Sequence, residues 1–114
     1  MRIYLFSIFI VILVFFTDKA AFSGDLKLGK EKAATVCSAC HGLDGQAASG
    51  GNSVLVPNIT AQAKDYLIAK LKDYKSGKIN HPQMSLIAQM LSDEDIENVA
   101  EWYSRIEIEI KLPD

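Results

Sequence analysis

Cys37-Ser38-Ala39-Cys40-His41 is the most informative segment of this chain of 114 residues. Two cysteines three positions apart lie on nearly the same face of a helical turn. Both thiols can therefore reach one edge of a single flat cofactor, and His41 then brings an imidazole nitrogen to its centre. This spacing is typical of covalent haem attachment, in which the thiols add to the two vinyl groups and the histidine binds the iron.

Two other chemistries use paired cysteines. In an oxidising compartment Cys37 and Cys40 can form a disulfide or a thioredoxin-like redox site, although that site needs a surrounding βαβ pattern, which this sequence lacks. Zinc is the second alternative, with His41 and His81 completing a set of four ligands. A histidine directly beside a ligand cysteine departs from the usual zinc spacing. Haem is therefore favoured, and both alternatives stay open.

The N-terminal residues have the layout of a secretory signal peptide. A basic start precedes an apolar run over residues 3–16, and small residues at Ala21 and Ser23 suit a cleavage point after Ser23. Cleavage a few residues earlier fits the same rule. The pattern predicts a signal peptide over residues 1–23, export to the periplasm, and one domain over residues 24–114.

An uncleaved membrane anchor is the alternative use of residues 3–16. A membrane-spanning helix needs about 20 apolar residues; this run is shorter, so we expect cleavage and no stable membrane insertion. The chain has a net charge of −2, which argues against nucleic-acid binding. Cleavage after Ser23 leaves about 91 residues. A chain of this length can build only a small core, which a bound apolar cofactor would stabilise.

The spacing of apolar residues predicts three helices, over 26–40, over 66–76 and from Ser92 onward. Ser92 is a suitable N-cap, Asp95 approximates a capping box, and Gly77 ends the second helix. We expect the last helix to bury Ile96, Val99, Ala100, Tyr103 and Ile106. Residues 106–110 alternate as a strand does but follow the helix directly, so a helix extension and an ordered tail both stay open.

A haem held by one histidine has a second axial position to fill. Methionine there suits electron transfer because it raises the reduction potential. Met84 follows a loop that Pro82 stiffens, so its side chain can turn inward, whereas Met90 is typical of core filling. His81 is interpreted as a loop histidine near the haem edge, with iron ligation as the alternative.

Four further segments add to the haem motif: Gly29, eight residues before Cys37; Pro57-Asn58-Ile59-Thr60-Ala61-Gln62; Tyr66-Leu67 through Gly77-Lys78; and Met84 to Ala88 with Leu91 to Ile96. With these, residues 26–106 resemble the class I cytochromes c, most closely the short monohaem cytochromes of the bacterial periplasm. Thr60-Ala61 departs from the Ala-Gly of that family. The resemblance implies an all-α class I cytochrome c fold, with three to four short helices wrapped around one covalently attached haem c.

The resemblance also implies roles by position. His41 and Met84 match the two axial iron ligands of the family. Pro57 matches a proline whose carbonyl accepts a hydrogen bond from the ligand histidine, which would fix the imidazole tautomer. Trp102 matches an aromatic residue that packs against the first helix near Gly29. These assignments are expectations for the structure.

The function that the resemblance implies is one-electron transfer between respiratory or periplasmic redox partners, with no catalysis by this chain alone. A dedicated haem subunit of a periplasmic oxidoreductase, such as one that oxidises a sulfur compound, is the alternative. A haem enzyme or a gas sensor would require Met84 to be absent from the iron.

Charge is unevenly distributed along the chain. Residues 25–81 contain eight lysines and five acids, whereas residues 93–114 contain eight acids, one arginine and one lysine. We predict that Lys70, Lys72 and Lys75 face an acidic surface on a redox partner. Ordinary solvated helix faces are the alternative.

Overall fold

The regular elements of the described chain are all helical. The structure is a computed structural model that describes residues 23–48, 50 and 53–114. Its helical elements are α1 (Leu26–Lys32), a π-helical turn (Ala33–Cys37), α2 (Ser38–His41), α3 (Lys64–Ser76), α4 (Met84–Gln89) and α5 (Asp93–Ser104). The predicted signal peptide lies outside the described residues except for Ser23. Among the residues described, no helix is long and apolar enough to cross a membrane.

The first helix runs without a break from α1 into the cysteine segment, but it changes pitch on the way. The Asp25 carboxylate caps α1 by accepting from the Leu28 amide at 2.8 Å. In the π-helical turn the Ser38 amide donates to the Ala33 carbonyl, five residues back instead of four. One extra residue in a turn rotates the next part of the helix by about 100° relative to a regular α-helix. Cys37 and the residues after it therefore face a different direction from the one that α1 alone would give them.

Helices α1 and α5 cross in direct backbone contact, and a glycine makes this possible. A Cβ at Gly29 would overlap the Asn98 carbonyl and would lie 3.2 Å from Trp102 Cβ. The Asn98 side chain also accepts from the Asp25 amide at 2.6 Å. The expected packing of Trp102 near Gly29 is confirmed.

Helix α5 supplies much of the core. Its capping box is complete, since the Asp95 amide donates to Ser92 Oγ and the Ser92 amide donates to Asp95 Oδ2, both at a distance of 3.0 Å. The predicted stripe is buried at Ile96, Val99, Ala100 and Tyr103, and Ile106 is half-buried. The helix ends at Ser104, so its extension into residues 106–110 is excluded, and residues 106–114 have no regular secondary structure.

Helices α3 and α4 complete the fold. Helix α3 begins two residues earlier than predicted and ends at Gly77, whose φ of +78° is the left-handed conformation of a helix C-cap. The sequence placed Met84 in a loop, but Met84 is the first residue of α4. The prediction that Met90 fills the core was wrong, because its side chain is 70% exposed. Leu91, one residue later, and Ala88 take the buried positions at this end of α4.

Candidate haem site

His41 is buried and its ring is held by one backbone carbonyl. It ends α2 with 9% of its surface exposed. Its Nδ1 lies 3.1 Å from the Pro57 carbonyl oxygen. Because a carbonyl can only accept, Nδ1 carries the ring proton, and Nε2 of the neutral imidazole is left with a lone pair for a metal. The structure thus brings together the histidine and the proline that the family resemblance paired.

The loop after His41 explains how Pro57 reaches it. The Ala47 amide donates to the His41 carbonyl at 2.7 Å, which turns the chain sharply after α2. The Ile59 amide then donates to the Gly45 carbonyl at 2.8 Å, and Thr60 Oγ1 donates to the Asp44 carbonyl at 2.6 Å. The Pro57 segment is therefore tied to the loop after the motif.

Gly45 lies where the backbones of these two segments are in direct contact. It has a φ of +78°, and a Cβ there would lie 2.9 Å from the Thr60 amide nitrogen. A side chain is excluded both by the backbone conformation and by the neighbouring chain. Along the sequence Gly45 is one of several loop glycines. Its closeness to Thr60 in space, which distinguishes it, cannot be read from the chain.

Two neighbouring side chains of α5 fasten the same loop. Tyr103 donates its hydroxyl to the Gly42 carbonyl at 3.0 Å, and burial raises the pKa of this phenol well above its ordinary value. Trp102 Nε1 donates to the Leu43 carbonyl at 2.9 Å. Sequence reasoning treated both residues as packing groups and missed these hydrogen bonds. They connect the core helix directly to the two residues after His41.

The two cysteines are free and differ in environment. Cys40 is exposed, and Cys37 is half-buried against the core cluster that includes Tyr103. Burial raises the pKa of the Cys37 thiol to about 11, with Tyr103 and Lys32 opposing the rise only in part. A thiol-redox nucleophile needs the opposite shift, toward the thiolate at neutral pH. A neutral sulfur suits this position better.

The zinc alternative also lacks support. Within the residues that the structure describes, no group of three or more His, Cys, Asp or Glu side chains is placed to hold a metal ion. His81, the fourth ligand of that hypothesis, instead uses Nδ1 to accept from the backbone amides of Gln83 and Met84.

The arrangement fits a haem in its donor set and in its exposed apolar surface. Leu55 and Leu86 are 70% and 64% exposed, and Val54 lies wholly in solvent. These side chains belong to the segment before Pro57 and to α4, which begins with Met84. These side chains supply apolar surface that a bound haem can cover. Met84 itself is half-buried.

The predicted lysine face is not a single face. Lys75 Nζ donates to the Leu91 carbonyl at 2.6 Å and pairs with Asp93 at 3.1 Å, so its ammonium joins α3 to the start of α5. Lys70 lies over the Tyr66 ring, 5.6 Å from its centroid. At about 100° per residue, Lys72 and Lys75 share a side of α3 and Lys70 does not.

Comparisons with known proteins agree with this site. A family model described as Cytochrome c matches residues 26–105. Cytochrome c-554(548) of Halomonas halodenitrificans is 42% identical over 85 residues, which cover 72% of this chain and 96% of that protein. The structure of reduced recombinant cytochrome c4 from Pseudomonas stutzeri matches with a TM-score of 0.63 and 30% identity over 74% of this chain and 46% of that chain. The thiosulfate dehydrogenase electron acceptor of Stutzerimonas stutzeri is 38% identical over 74 residues, covering 63% of this chain and 32% of that protein.

These matches and the fold identify an all-α electron-transfer protein with covalently attached haem c. The chain belongs to the cytochrome c family. The predicted fold class, cofactor and electron-carrying function are confirmed. The chain spans about half the length of the cytochrome c4 that it matches in structure.

Proposed function

We propose that this chain is a monohaem carrier that passes single electrons between redox proteins of the periplasm, with His41 and Met84 as axial iron ligands. The observation that carries the proposal is the 3.1 Å contact between His41 Nδ1 and the Pro57 carbonyl. The carbonyl accepts from Nδ1, so it keeps the ring proton there and leaves Nε2 with a free lone pair, which is the form in which histidine binds a metal.

Cys37 and Cys40 are the proposed thioether positions. Addition of each thiol to a vinyl group forms one carbon–sulfur bond and leaves an uncharged sulfur. The half-buried Cys37, whose pKa is raised by burial, accommodates an uncharged sulfur without desolvating a charge. In the expected outcome, haem stays with the protein when the denatured chain is extracted with acidified acetone. Haem in the organic layer would contradict the thioether bonds.

Met84 is the proposed second ligand. Its half-buried side chain contrasts with that of Met90, which is 70% exposed. When bound, the haem would supply a reversible one-electron couple, and the Met84 thioether would favour its reduced state. The oxidised protein should show a sulfur-to-iron charge-transfer band, and Met84→Ala should abolish it while Met90→Ala keeps it. A band that survives in Met84→Ala would refute the assignment.

A carrier with both axial positions filled by protein side chains has no open site for a substrate. The proposal therefore assigns this chain electron transfer without catalysis of its own. Carbon monoxide binding to the reduced protein tests directly whether the iron has a coordination position open to an added ligand. Rapid binding by the wild type would favour a haem enzyme or gas sensor, whereas binding only in Met84→Ala supports the carrier.

A dedicated electron-accepting subunit is the second candidate function. The similarity to a protein named thiosulfate dehydrogenase electron acceptor favours it. Purification in high salt distinguishes the two candidate functions, because a carrier docks on its partner only transiently and is released when salt screens the charges. A stable complex with an oxidoreductase that survives high salt supports the subunit, and a free monohaem protein supports the carrier.

Export to the periplasm by cleavage of residues 1–23 belongs to the same proposal. Gly24, next to the proposed cleavage point, packs against the backbone of Glu97, and a Cβ on it would lie 2.9 Å from Glu101 Cβ. The folded domain thus begins immediately after the proposed leader. N-terminal sequencing of the haem-loaded protein should give a chain that starts at or just before Gly24. A chain that retains residues 3–16 supports the membrane anchor.

A further inference from the structure

The side chain of His81 accepts two backbone hydrogen bonds at the start of α4. The amides of Gln83 and Met84 donate to His81 Nδ1, at distances of 3.3 Å and 3.1 Å. Because an amide N–H can only donate, Nδ1 is the unprotonated nitrogen and the ring proton lies on Nε2. Amides at a helix start have no partner within the helix. The imidazole therefore caps α4 as an Asn or Ser side chain caps other helices.

Further contacts hold His81 in this position. The Ser85 hydroxyl accepts from the His81 amide at 2.9 Å and donates to the Ile79 carbonyl at 3.3 Å. The ring of Tyr74, on α3, meets the imidazole edge to face with 5.8 Å between centroids. His81 thus connects α3 to the first turn of α4, the turn that contains Met84.

A short helix depends on such contacts. Helix α4 has 6 residues, far fewer than an isolated helix needs to be stable in water. The direction of its first residue is therefore set by what surrounds it. One of the two hydrogen bonds to His81 comes from the amide of Met84 itself, so it restrains the backbone torsion that aims the Met84 side chain.

We infer that His81 is a positioning residue for Met84, because its Nδ1 holds the amides of Gln83 and Met84 and so sets the direction in which the thioether reaches the haem iron. The inference rests on the proposed function, in which Met84 is the second ligand. In this role His81 acts through the acceptor atom Nδ1. Neither the packing of its ring against Tyr74 nor direct binding of His81 to iron is required.

Two substitutions separate the acceptor from the ring. His81→Asn puts Oδ1 where Nδ1 stood and removes the ring that meets Tyr74. His81→Phe keeps an aromatic ring against Tyr74 and removes the acceptor. If the acceptor positions Met84, the Asn variant resembles the wild type and the Phe variant does not.

Competition by free imidazole measures how firmly Met84 is held. Imidazole that displaces Met84 removes the sulfur-to-iron band, and the apparent Kd reports the population of the unbound methionine. Loss of hydrogen bonds that contribute about 1 kcal/mol corresponds to a roughly fivefold change. We expect His81→Phe to bind imidazole roughly fivefold more tightly than the wild type, and His81→Asn to stay within about twofold.

Amide hydrogen exchange in the reduced protein gives a readout that is independent of the ligand. Exchange at Gln83 and Met84 should accelerate in His81→Phe and not in His81→Asn, while core amides of α5 stay protected in both. A Phe variant that matches the wild type in both measurements overturns the inference. So does an Asn variant as weakened as the Phe variant, because an acceptor at this place would then not be enough to hold Met84.

The variant Met84→Ala separates this inference from the proposed function. If the wild type has the band and Met84→Ala loses it, the function stands whatever the His81 variants show. If Met84→Ala keeps a six-coordinate spectrum that both His81 variants lose, His81 is itself the ligand and both proposals fail.

Discussion

The two sides of the candidate haem site are held in different ways. On the histidine side, residues 37–60, His41 is buried and its loop is bonded to a second loop and to two side chains of α5. On the methionine side, residues 78–91, Met84 begins a helix of 6 residues whose two ends are held by His81 and by Lys75. On the histidine side, Cys37 and Ile59 pack against the core cluster that contains Tyr103. The methionine side buries Ala88 and Leu91 and is held to neighbouring segments at the two ends of α4.

This difference predicts which side of the candidate haem site opens first. Local opening begins in segments with few buried contacts and exposed backbone, whereas segments joined to the core open only with global unfolding. We therefore expect Met84 to be displaced by added ligands or mild denaturant well before His41 is. Substitutions on the histidine side should lower the free energy of unfolding, and those on the methionine side should mainly change ligand exchange.

The largest effect is expected from Gly45→Ala, on the histidine side. The left-handed φ costs a non-glycine residue about 1–2 kcal/mol, and a Cβ at 2.9 Å from the Thr60 amide adds overpacking of about 1–3 kcal/mol. The free energy of unfolding, measured with denaturant, should fall by roughly 3 kcal/mol. Gly77→Ala is the matched control, since Gly77 has the same φ of +78° with open space around it. Equal losses at both positions would show that the contact with Thr60 is unimportant.

The next effect is expected from Lys75→Met, on the methionine side. The variant removes the ammonium that donates to the Leu91 carbonyl at the C-terminal end of α4. A hydrogen bond from a charged group contributes about 1.5–3 kcal/mol, and partial exposure lowers this to roughly 1 kcal/mol here. Exogenous imidazole should displace Met84 at a lower concentration, with a smaller change in global stability. Lys72→Met, exposed on the same helix, serves as control, and an identical shift in it would show that lost charge and not the Leu91 contact is responsible.

A stabilising change is expected at Ala61, which directly follows the histidine side in the sequence. Its φ is +55°, and its amide donates to the Tyr103 carbonyl at 3.0 Å. This is the position at which the sequence departs from the Gly of the family. Ala61→Gly relieves about 1 kcal/mol of backbone strain, partly offset by greater entropy of the unfolded chain. Thermal unfolding should show a higher Tm by a few degrees; a lower Tm would mean that the Ala61 methyl packs usefully.

The smallest effect concerns the partner surface next to the methionine side. If an acidic partner docks near α3, electron transfer should slow as salt rises, because exposed charge pairs are screened. Lys72→Gln should reduce this salt dependence more than Lys75→Gln, since the Lys75 ammonium is already paired with Asp93. A response to salt that neither variant changes would place the docking surface elsewhere.

The sequence was most informative where a single local rule decides the structure. Ser92 and Asp95 predicted the start of α5, and Gly77 the end of α3, because caps depend on a few adjacent residues. Met84 and Met90 show the limit of such rules. A six-residue helix has too few turns for a periodic signal, so α4 was missed and Met90 was wrongly placed in the core.

What the sequence alone determined is the chemistry: two thiols and an imidazole at haem-binding spacing, and an amphipathic helix to bury beside them. These properties come from spacing along the chain, which folding cannot change. The resemblance already paired His41 with the Pro57 carbonyl, but only the tertiary structure decided that Gly45 touches Thr60 and that His81 and Lys75 hold the two ends of α4. Those contacts join residues of different elements, and their distances depend on how the helices pack.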